Sequence, residues 1–139
     1  MASSSVSQLI PPCGGRLTEL LIRGQEREAL LLRAAELPSL QLSPRSLCSL
    51  ELLATGVYSP LETFLGKSDY ECVLRELRLR NGALCPIPVI LPVRDAANVP
   101  EGQEVTLRSP SNEPVAVLRV DEVYERDLSR ETEILGTAG

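Results

Sequence analysis

Apolar residues recur at helical spacing along the first half of the chain. Polar residues fill the positions between them, which is typical of helices that pack one face against a core. We predict helices over residues 25–35, 43–54 and 68–78. Pro38 follows the first run, Ser43-Pro44 opens the second and Gly56 follows it. These residues are typical of helix ends.

Two capping signals lie between the second and third of these helices. Ser59-Pro60 is followed by Glu62, three residues after the serine, and this pattern predicts a one-turn helix. Ser68 has Glu71 at the same spacing and predicts the start of the helix over residues 68–78.

The apolar pattern changes to the two-residue period of β-strands in the second half of the chain. Strands are predicted over residues 87–93, 104–107 and 115–124, with a short earlier strand over 39–42. Pro86, Pro88 and Pro92 cannot donate ladder hydrogen bonds, so the strand over 87–93 belongs at a sheet edge or at a bend.

Residues 109–114 are predicted to be a hairpin connection, and residues 127–135 a closing helix that Gly136 ends. Helices followed by strands predict an α+β fold, in which a small, bent, mixed or antiparallel sheet packs on several short helices. Residues 1–8 are small and polar and are expected to be a flexible terminus, which leaves residues 9–137 as a single domain.

Composition limits the kinds of partner that this chain can bind. Its 139 residues are 43% apolar, enough to bury a core, but only 3% are aromatic. The net charge of −5 repels a phosphate backbone, and few side chains are available to stack on bases, so we expect no nucleic-acid partner. No stretch reaches the length of about 18 apolar residues that a membrane span needs, so we expect no membrane partner.

The cysteines indicate neither a metal site nor a disulfide framework. Cys13, Cys48, Cys72 and Cys85 form no Cys-x-x-Cys pair, and the chain contains no histidine to complete a zinc site. The first residues lack the basic and apolar regions of a secretory signal, so we expect reduced thiols and a cytoplasmic location. Cys48 and Cys72 are predicted to be small core residues and Cys13 to be exposed.

No residue pattern supports catalysis or cofactor binding. Gly14-Gly15 lacks the lysine and helix start of a phosphate loop and is predicted to be a plain turn. Asp69 and Glu71 are better explained by the start of a helix, and the carboxylate of Glu131 by the exposed side of the closing helix. Without histidine, no serine or cysteine has a base to activate it. We predict no catalytic, cofactor or metal residues.

Several ordered motifs resemble one protein family. The most specific is the segment from Gly56 to Leu65, with Asp69 to Leu74 directly after it. The other motifs, in chain order, are Pro11 to Gly15, Leu37 to Leu40, Arg45 to Leu53, Pro86 to Leu91, Ala116 to Leu118 and Gly136-Thr137. Over about 125 residues this order is similar to the amino-terminal domain of ATP sulfurylase (sulfate adenylyltransferase), a PUA-like module. The resemblance implies a PUA-like pseudobarrel.

The chain departs from the family pattern at single residues and at its end. Cys13, Ser49, Val57, Thr63 and Cys85 replace residues usual in the family. The family continues past the closing Gly-Thr into a catalytic domain with Gln-x-Arg-Asn, His-x-x-His and Gly-Arg-Asp motifs. This chain ends at Gly139 without a histidine, so the catalytic domain is expected to be absent and the chain inactive alone.

The resemblance implies a scaffold and interface role within a nucleotidyltransferase of sulfate assimilation. That enzyme converts ATP and sulfate to adenosine 5′-phosphosulfate and pyrophosphate. The expected partners are the catalytic domain and, in a homo-oligomer, further copies. A docking surface is expected beside the closing helix. Its candidate residues are Tyr58, Ser59, Pro60, Leu61, Phe64 and Leu65. Two alternatives stay open: Tyr58 and Phe64 are simply core residues, or the chain is an independent PUA-like module that binds RNA or a small ligand.

Overall fold

The computed structural model describes residues 17–136. Four α-helices and a three-stranded sheet form the described part of the chain. The helices are α1 (Gly24–Ala34), α2 (Pro44–Ala54), α3 (Lys67–Glu76) and α4 (Leu128–Leu135), and a short 3-10 helix covers Ala96–Asn98. The strands are β1 (Ser39–Gln41), β2 (Glu104–Arg108) and β3 (Pro114–Arg119).

The sheet is mixed and open, with β2 in the centre. β1 pairs with β2 in parallel, with Leu40 opposite Leu107, and β2 pairs with β3 antiparallel, with Thr106 opposite Val117. A bulge interrupts the second pairing at Leu107/Arg108. The predicted α+β fold with a small mixed sheet and several short helices is confirmed. The flexible terminus predicted over residues 1–8 lies outside the described residues.

Most predicted elements form where their local signals are complete. The hydroxyl of Ser43 accepts the Ser46 N–H at the start of α2, and Asp127 does the same for Arg130 at the start of α4. Gly136 adopts φ 64° directly after α4, a left-handed conformation that favours glycine. The predicted helices over 25–35, 43–54 and 127–135 and the strands over 39–42 and 104–107 are therefore confirmed within one residue or two.

Three predicted elements are wrong or too long. Residues 87–93 form no strand, because their prolines have no N–H to donate. The Leu65 N–H donates to the Val89 carbonyl of this stretch at 2.8 Å. Ser59-Pro60 starts no helix, since the Ser59 side chain bonds elsewhere. The strand predicted over 115–124 ends at Arg119.

The capping box predicted at Ser68 is also wrong. α3 begins one residue earlier, after Gly66, with no side-chain cap from its own first turn. The Lys67 N–H instead donates to Oε2 of Glu122 at 2.7 Å, and Asp69 accepts the N–H of Arg80 at 2.9 Å. A distant carboxylate thus supplies the negative charge that a helix start favours.

Two groups of buried side chains form the core. The first group lies around α3, where Tyr70, Val73 and Leu74 are buried. The second fills one face of the sheet, around Val105 and Leu107. Phe64 packs against both groups, so the segment before α3 joins the helical layer to the sheet.

Candidate functional site

The segment Tyr58 to Leu65 is held by hydrogen bonds at both ends. The Ser59 hydroxyl, in a side chain only 5% exposed, donates to the Gly56 carbonyl at 2.5 Å and accepts the Thr18 N–H at 2.8 Å. A cis peptide bond joins Ser59 to Pro60. Because the Ser59 hydroxyl bonds to Gly56 and Thr18, it does not cap a helix that would begin at Pro60.

The two aromatic side chains of this segment are half-buried. Tyr58 packs beside the first core group, and Phe64 packs between both groups. Pro60 and Leu61 are also half-buried, whereas Ser59 and Leu65 are buried. Tyr58 and Phe64 therefore keep part of their rings accessible.

A buried carboxylate joins α4 to α3. Glu131 is only 5% exposed, and its Oε2 accepts the Tyr70 hydroxyl at 3.0 Å. Arg126 binds both oxygens of this carboxylate, Nε to Oε2 at 3.1 Å and Nη2 to Oε1 at 3.0 Å. The Tyr70 hydroxyl in turn accepts the Asp127 N–H at 2.8 Å. The prediction that Glu131 lies on the exposed side of α4 is wrong, because bidentate pairing to arginine allows the carboxylate to be buried.

Tyr124 extends this network to the segment before α3. Its ring lies 5.2 Å from that of Tyr70, and its hydroxyl donates to the Leu65 carbonyl at 2.5 Å. We call Tyr70, Tyr124, Arg126 and Glu131 the carboxyl-terminal clamp, since together they fix residues 124–131 against α3.

Burial raises the pKa of both clamp tyrosines. The pKa of Tyr70 is raised by burial and by the nearby carboxylate of Glu131, although the Asp127 N–H opposes the shift. The pKa of Tyr124 is raised by burial and then by Tyr70 and two carboxylates. Burial, followed by Cys48 and Cys85, also raises the pKa of Tyr58. All three hydroxyls are neutral at physiological pH, so they act as hydrogen-bonding groups and not as bases.

The clamp carboxylate is paired on both of its oxygens. Both oxygens of Glu131 accept hydrogen bonds, from Arg126 and from Tyr70, so the carboxylate is engaged within the domain. Asp69 accepts the N–H of Arg80, and the side chain of Glu71 is exposed on α3. Among residues 17–136 no group of histidine, cysteine and carboxylate side chains could hold a metal ion.

The cysteines divide between core and surface. Cys72 and Cys85 are buried, and the thiol of Cys85 donates to the Ile87 carbonyl at 3.2 Å. The prediction that Cys72 is a core residue is confirmed, but Cys48 is exposed on α2, so that part of the prediction is wrong. Cys13 and Gly14-Gly15 lie outside the described residues. None of the helices in residues 17–136 is long and apolar enough to cross a membrane.

The residues that sequence analysis missed are the clamp residues Arg126 and Glu131 and the cap Glu122. One signal for Glu131 was present, since it lies three residues before Ile134, which packs against the first core group. No local signal pointed to Glu122, because its partner Lys67 is 55 residues away in the chain.

Two cavities open beside these elements. One of about 510 Å³ lies between the segment Thr63 to Gly66 and residues 90–94, and its wall includes Leu128 of α4. The other, of about 450 Å³, is lined mainly by aliphatic side chains of Leu20 to Ile22, α1, α2 and the consecutive residues Pro114 to Leu118. Pockets of this size are large enough for small apolar groups or for the side chains of a partner.

Comparisons with known proteins match nearly the whole chain. A family model described as a PUA-like domain matches residues 10–137. The sulfate adenylyltransferase of Symbiobacterium thermophilum is 40% identical over 124 residues, which are 88% of this chain and 32% of that protein. The sulfate adenylyltransferase of Chaetomium globosum is 44% identical over 133 residues, 90% of this chain and 23% of that protein.

A solved structure shows the same fold. It is the hexameric APS kinase from Thiobacillus denitrificans, with a TM-score of 0.77 and 37% sequence identity, and the match covers 85% of this chain and 24% of that one. The chain therefore spans about a quarter to a third of the length of the relatives it matches.

Proposed function

The chain belongs to the PUA-like domain family and corresponds to the PUA-like domain of sulfate adenylyltransferases, and from this premise we propose that it is a non-catalytic scaffold and interface module. It docks against the catalytic domain of an ATP sulfurylase. That enzyme transfers the adenylyl group of ATP to sulfate in the cytoplasm, and so begins sulfate assimilation.

The observation that carries this proposal is how much of its relatives' length the chain matches. The match covers 88% of this chain but only 32% of the Symbiobacterium enzyme, so most of that enzyme lies outside the match. The described residues add a second argument. Their buried carboxylate, Glu131, is fully paired, which is what a structural and not a catalytic role requires.

We place the docking surface on the segment Tyr58 to Leu65 and the adjacent side of α4. Tyr124 ties the two together through its bond to the Leu65 carbonyl, and the cavity of about 510 Å³ lies between Phe64 and Leu128. Leu128 is 60% exposed and Leu135 44%. A partly apolar surface of this kind is what an interface between domains of one chain covers. Ser59 and Leu65 are buried, so they position the surface from within.

The module also contributes to contacts between copies in a homo-oligomer. The support is the relative from Thiobacillus denitrificans, whose structure is described as hexameric. Closed symmetric assemblies are the usual form of soluble oligomers.

The non-catalytic role is tested on the chain itself. With ATP, magnesium and pyrophosphate, sulfate-dependent exchange is expected to stay at background, because the chain has no histidine and its buried carboxylate is fully paired. Exchange well above background that is lost in Glu131→Gln would contradict the proposal.

The docking role is tested in a chimera, where this chain replaces the matching third of the Symbiobacterium enzyme. We expect the chimera to be folded and active. Leu128→Glu is expected to lower its stability by disturbing the contact between the two domains. The control Leu32→Glu changes a leucine that is 77% exposed on α1, away from the proposed surface, and is expected to be silent. A folded but inactive chimera, or equal effects of the two substitutions, would argue against docking at this surface.

A further inference from the structure

A cavity of about 450 Å³ lies between α1, α2 and β3. Along α1 only Ala34 is buried, and Leu30 and Leu31 are half-buried. The Thr106 hydroxyl of β2 donates to the Ala34 carbonyl at 2.7 Å, so the sheet holds the carboxyl end of this helix. Arg27, on an earlier turn, also lines the cavity. The cavity therefore extends beside the helix from its fixed end toward its start.

The wall of this cavity is aliphatic from its floor to its mouth. Ala34, Leu53 and Leu107 line it and are buried, so they form the floor. Leu21 and Ile22 line it and are exposed, so they form the mouth. An aliphatic surface of this depth offers few partners to a polar molecule. It favours a ligand that is itself apolar over most of its length.

Two charged side chains, Arg27 and Glu62, lie at the exposed rim of the cavity. Neither forms an ion pair with another residue of the described chain, whereas Arg33 of the same helix α1 pairs with Glu104. A guanidinium binds both oxygens of a carboxylate at once and is weakly hydrated. An ammonium group is compact and strongly hydrated, so it would lose more water on meeting Glu62. The rim therefore favours a ligand with a carboxylate head, held by Arg27.

We propose that this cavity binds a straight-chain aliphatic carboxylate, with its chain between α1, α2 and β3 and its head at Arg27. A volume of about 450 Å³ equals that of about fifteen water molecules in the liquid. Each carbon of the chain occupies about as much space as one water, so a chain of about ten carbons fits. The inference goes beyond the scaffold role and does not depend on it.

Hydrogen bonds on two sides hold the cavity in shape. The Leu20 N–H donates to the Ala54 carbonyl at 2.8 Å, which fixes the mouth segment against the end of α2. The bond between Thr106 and Ala34 fixes the side that α1 forms. A cavity that is formed before binding requires little ordering of the protein, so more of the free energy of burying the chain contributes to affinity. Each methylene of the ligand should therefore strengthen binding measurably.

Isothermal titration calorimetry of the purified chain with decanoate tests the proposal. We expect saturable binding at a single site, with octanoate binding about fifteenfold more weakly, since each methylene removed loses about fourfold in affinity. Decanol and decylamine carry the same chain with other heads and are expected to bind more weakly than decanoate. Arg27→Gln should bring decanoate to the level of decanol. Arg45→Gln, an exposed change on α2, is the matched control.

Filling the cavity locates the site. Ala54→Leu on α2 and Ala116→Leu on β3 each add bulk inside it, and either is expected to weaken decanoate binding by about tenfold or more, with circular dichroism confirming the fold. Ala29→Leu makes the same change on α1 outside the cavity and should be silent. Binding that folded, filled variants retain, or that octanoate shares equally, overturns the cavity as the site. Equal binding of the three heads overturns the role of Arg27, and a folded chain that binds no decanoate overturns the proposal.

Discussion

Glu131 shows how a residue's environment depends on groups distant in sequence. An acidic residue on a short terminal helix is ordinarily exposed, because burying an unpaired charge is costly. Here Arg126 and Tyr70 occupy both oxygens, and Tyr70 is 61 residues away. The buried carboxylate is stable only when Arg126 and Tyr70 both bond to it. The clamp therefore couples the position of α4 to that of α3.

Removing the carboxylate should therefore destabilise the domain. In Glu131→Ala the Tyr70 hydroxyl and the Arg126 guanidinium lose their shared partner. We expect a loss of about 2 kcal/mol in the free energy of unfolding, moderated because Arg126 is 39% exposed. Chemical denaturation measures this change.

The matched control is Glu133→Ala, which removes an exposed partner of Arg130 on the same helix. We expect a cost of at most about 1 kcal/mol. Equal costs for the two substitutions would show that the buried carboxylate has no special role.

At the scale of elements, α3 shows that a helix start can be completed from another part of the chain. Ser68 and Glu71 have the spacing of a capping box, but the helix begins before Ser68 and its first N–H bonds to Glu122. The segment after β3 passes beside this helix start, which places the carboxylate where the helix dipole favours it.

Glu122→Ala should thus lower the free energy of unfolding more than Ser68→Ala does. We expect a loss of about 1 kcal/mol for Glu122→Ala, in the range of helix caps, and little change for Ser68→Ala. Glu125→Ala, an exposed change nearby, is the control. Thermal unfolding measures both changes in stability. If Ser68→Ala lowered the stability more than Glu122→Ala did, the capping box that the spacing predicts would be supported instead.

For the whole molecule, burial of the tyrosines couples stability to pH. The pKa of each of the three tyrosines is raised above the usual value of about 10. As pH rises through that value, the unfolded chain loses these protons before the folded protein does. The stability that they contribute is present below about pH 10 and falls as pH rises above it.

We therefore expect the folded protein to show less tyrosinate absorbance than the denatured chain near pH 10. The free energy of unfolding should also decline there, and less steeply in Tyr124→Phe. A tyrosine titration curve that is the same for folded and denatured protein would contradict the raised pKa values.

The acidity of the whole molecule predicts weak binding to RNA. With a net charge of −5 and 3% aromatic residues, the chain gains little from counterion release or stacking. We expect dissociation constants of about 1 µM or weaker at physiological salt in mobility-shift titrations. Specific binding well below that value would favour the independent binding module over the scaffold.

The sequence by itself determined the helices over Gly24–Ala34 and Pro44–Ala54, the strand over Glu104–Arg108 and the closing helix. Their signals are local: apolar spacing within one element and a capping residue at its end. The ordered motifs from Pro11 to Thr137 also led to the correct family, because their order and spacing persist along the chain.

Only the tertiary structure decided which polar groups are buried, what caps α3, and which segments join the sheet. Glu131, Glu122 and Ser59 each bond to groups more than forty residues away, which no local pattern encodes. The stretch over 87–93 has the apolar character of a strand, but Pro88 and Pro92 have no N–H to donate and the stretch joins no strand of the sheet, so its own pattern did not determine its conformation.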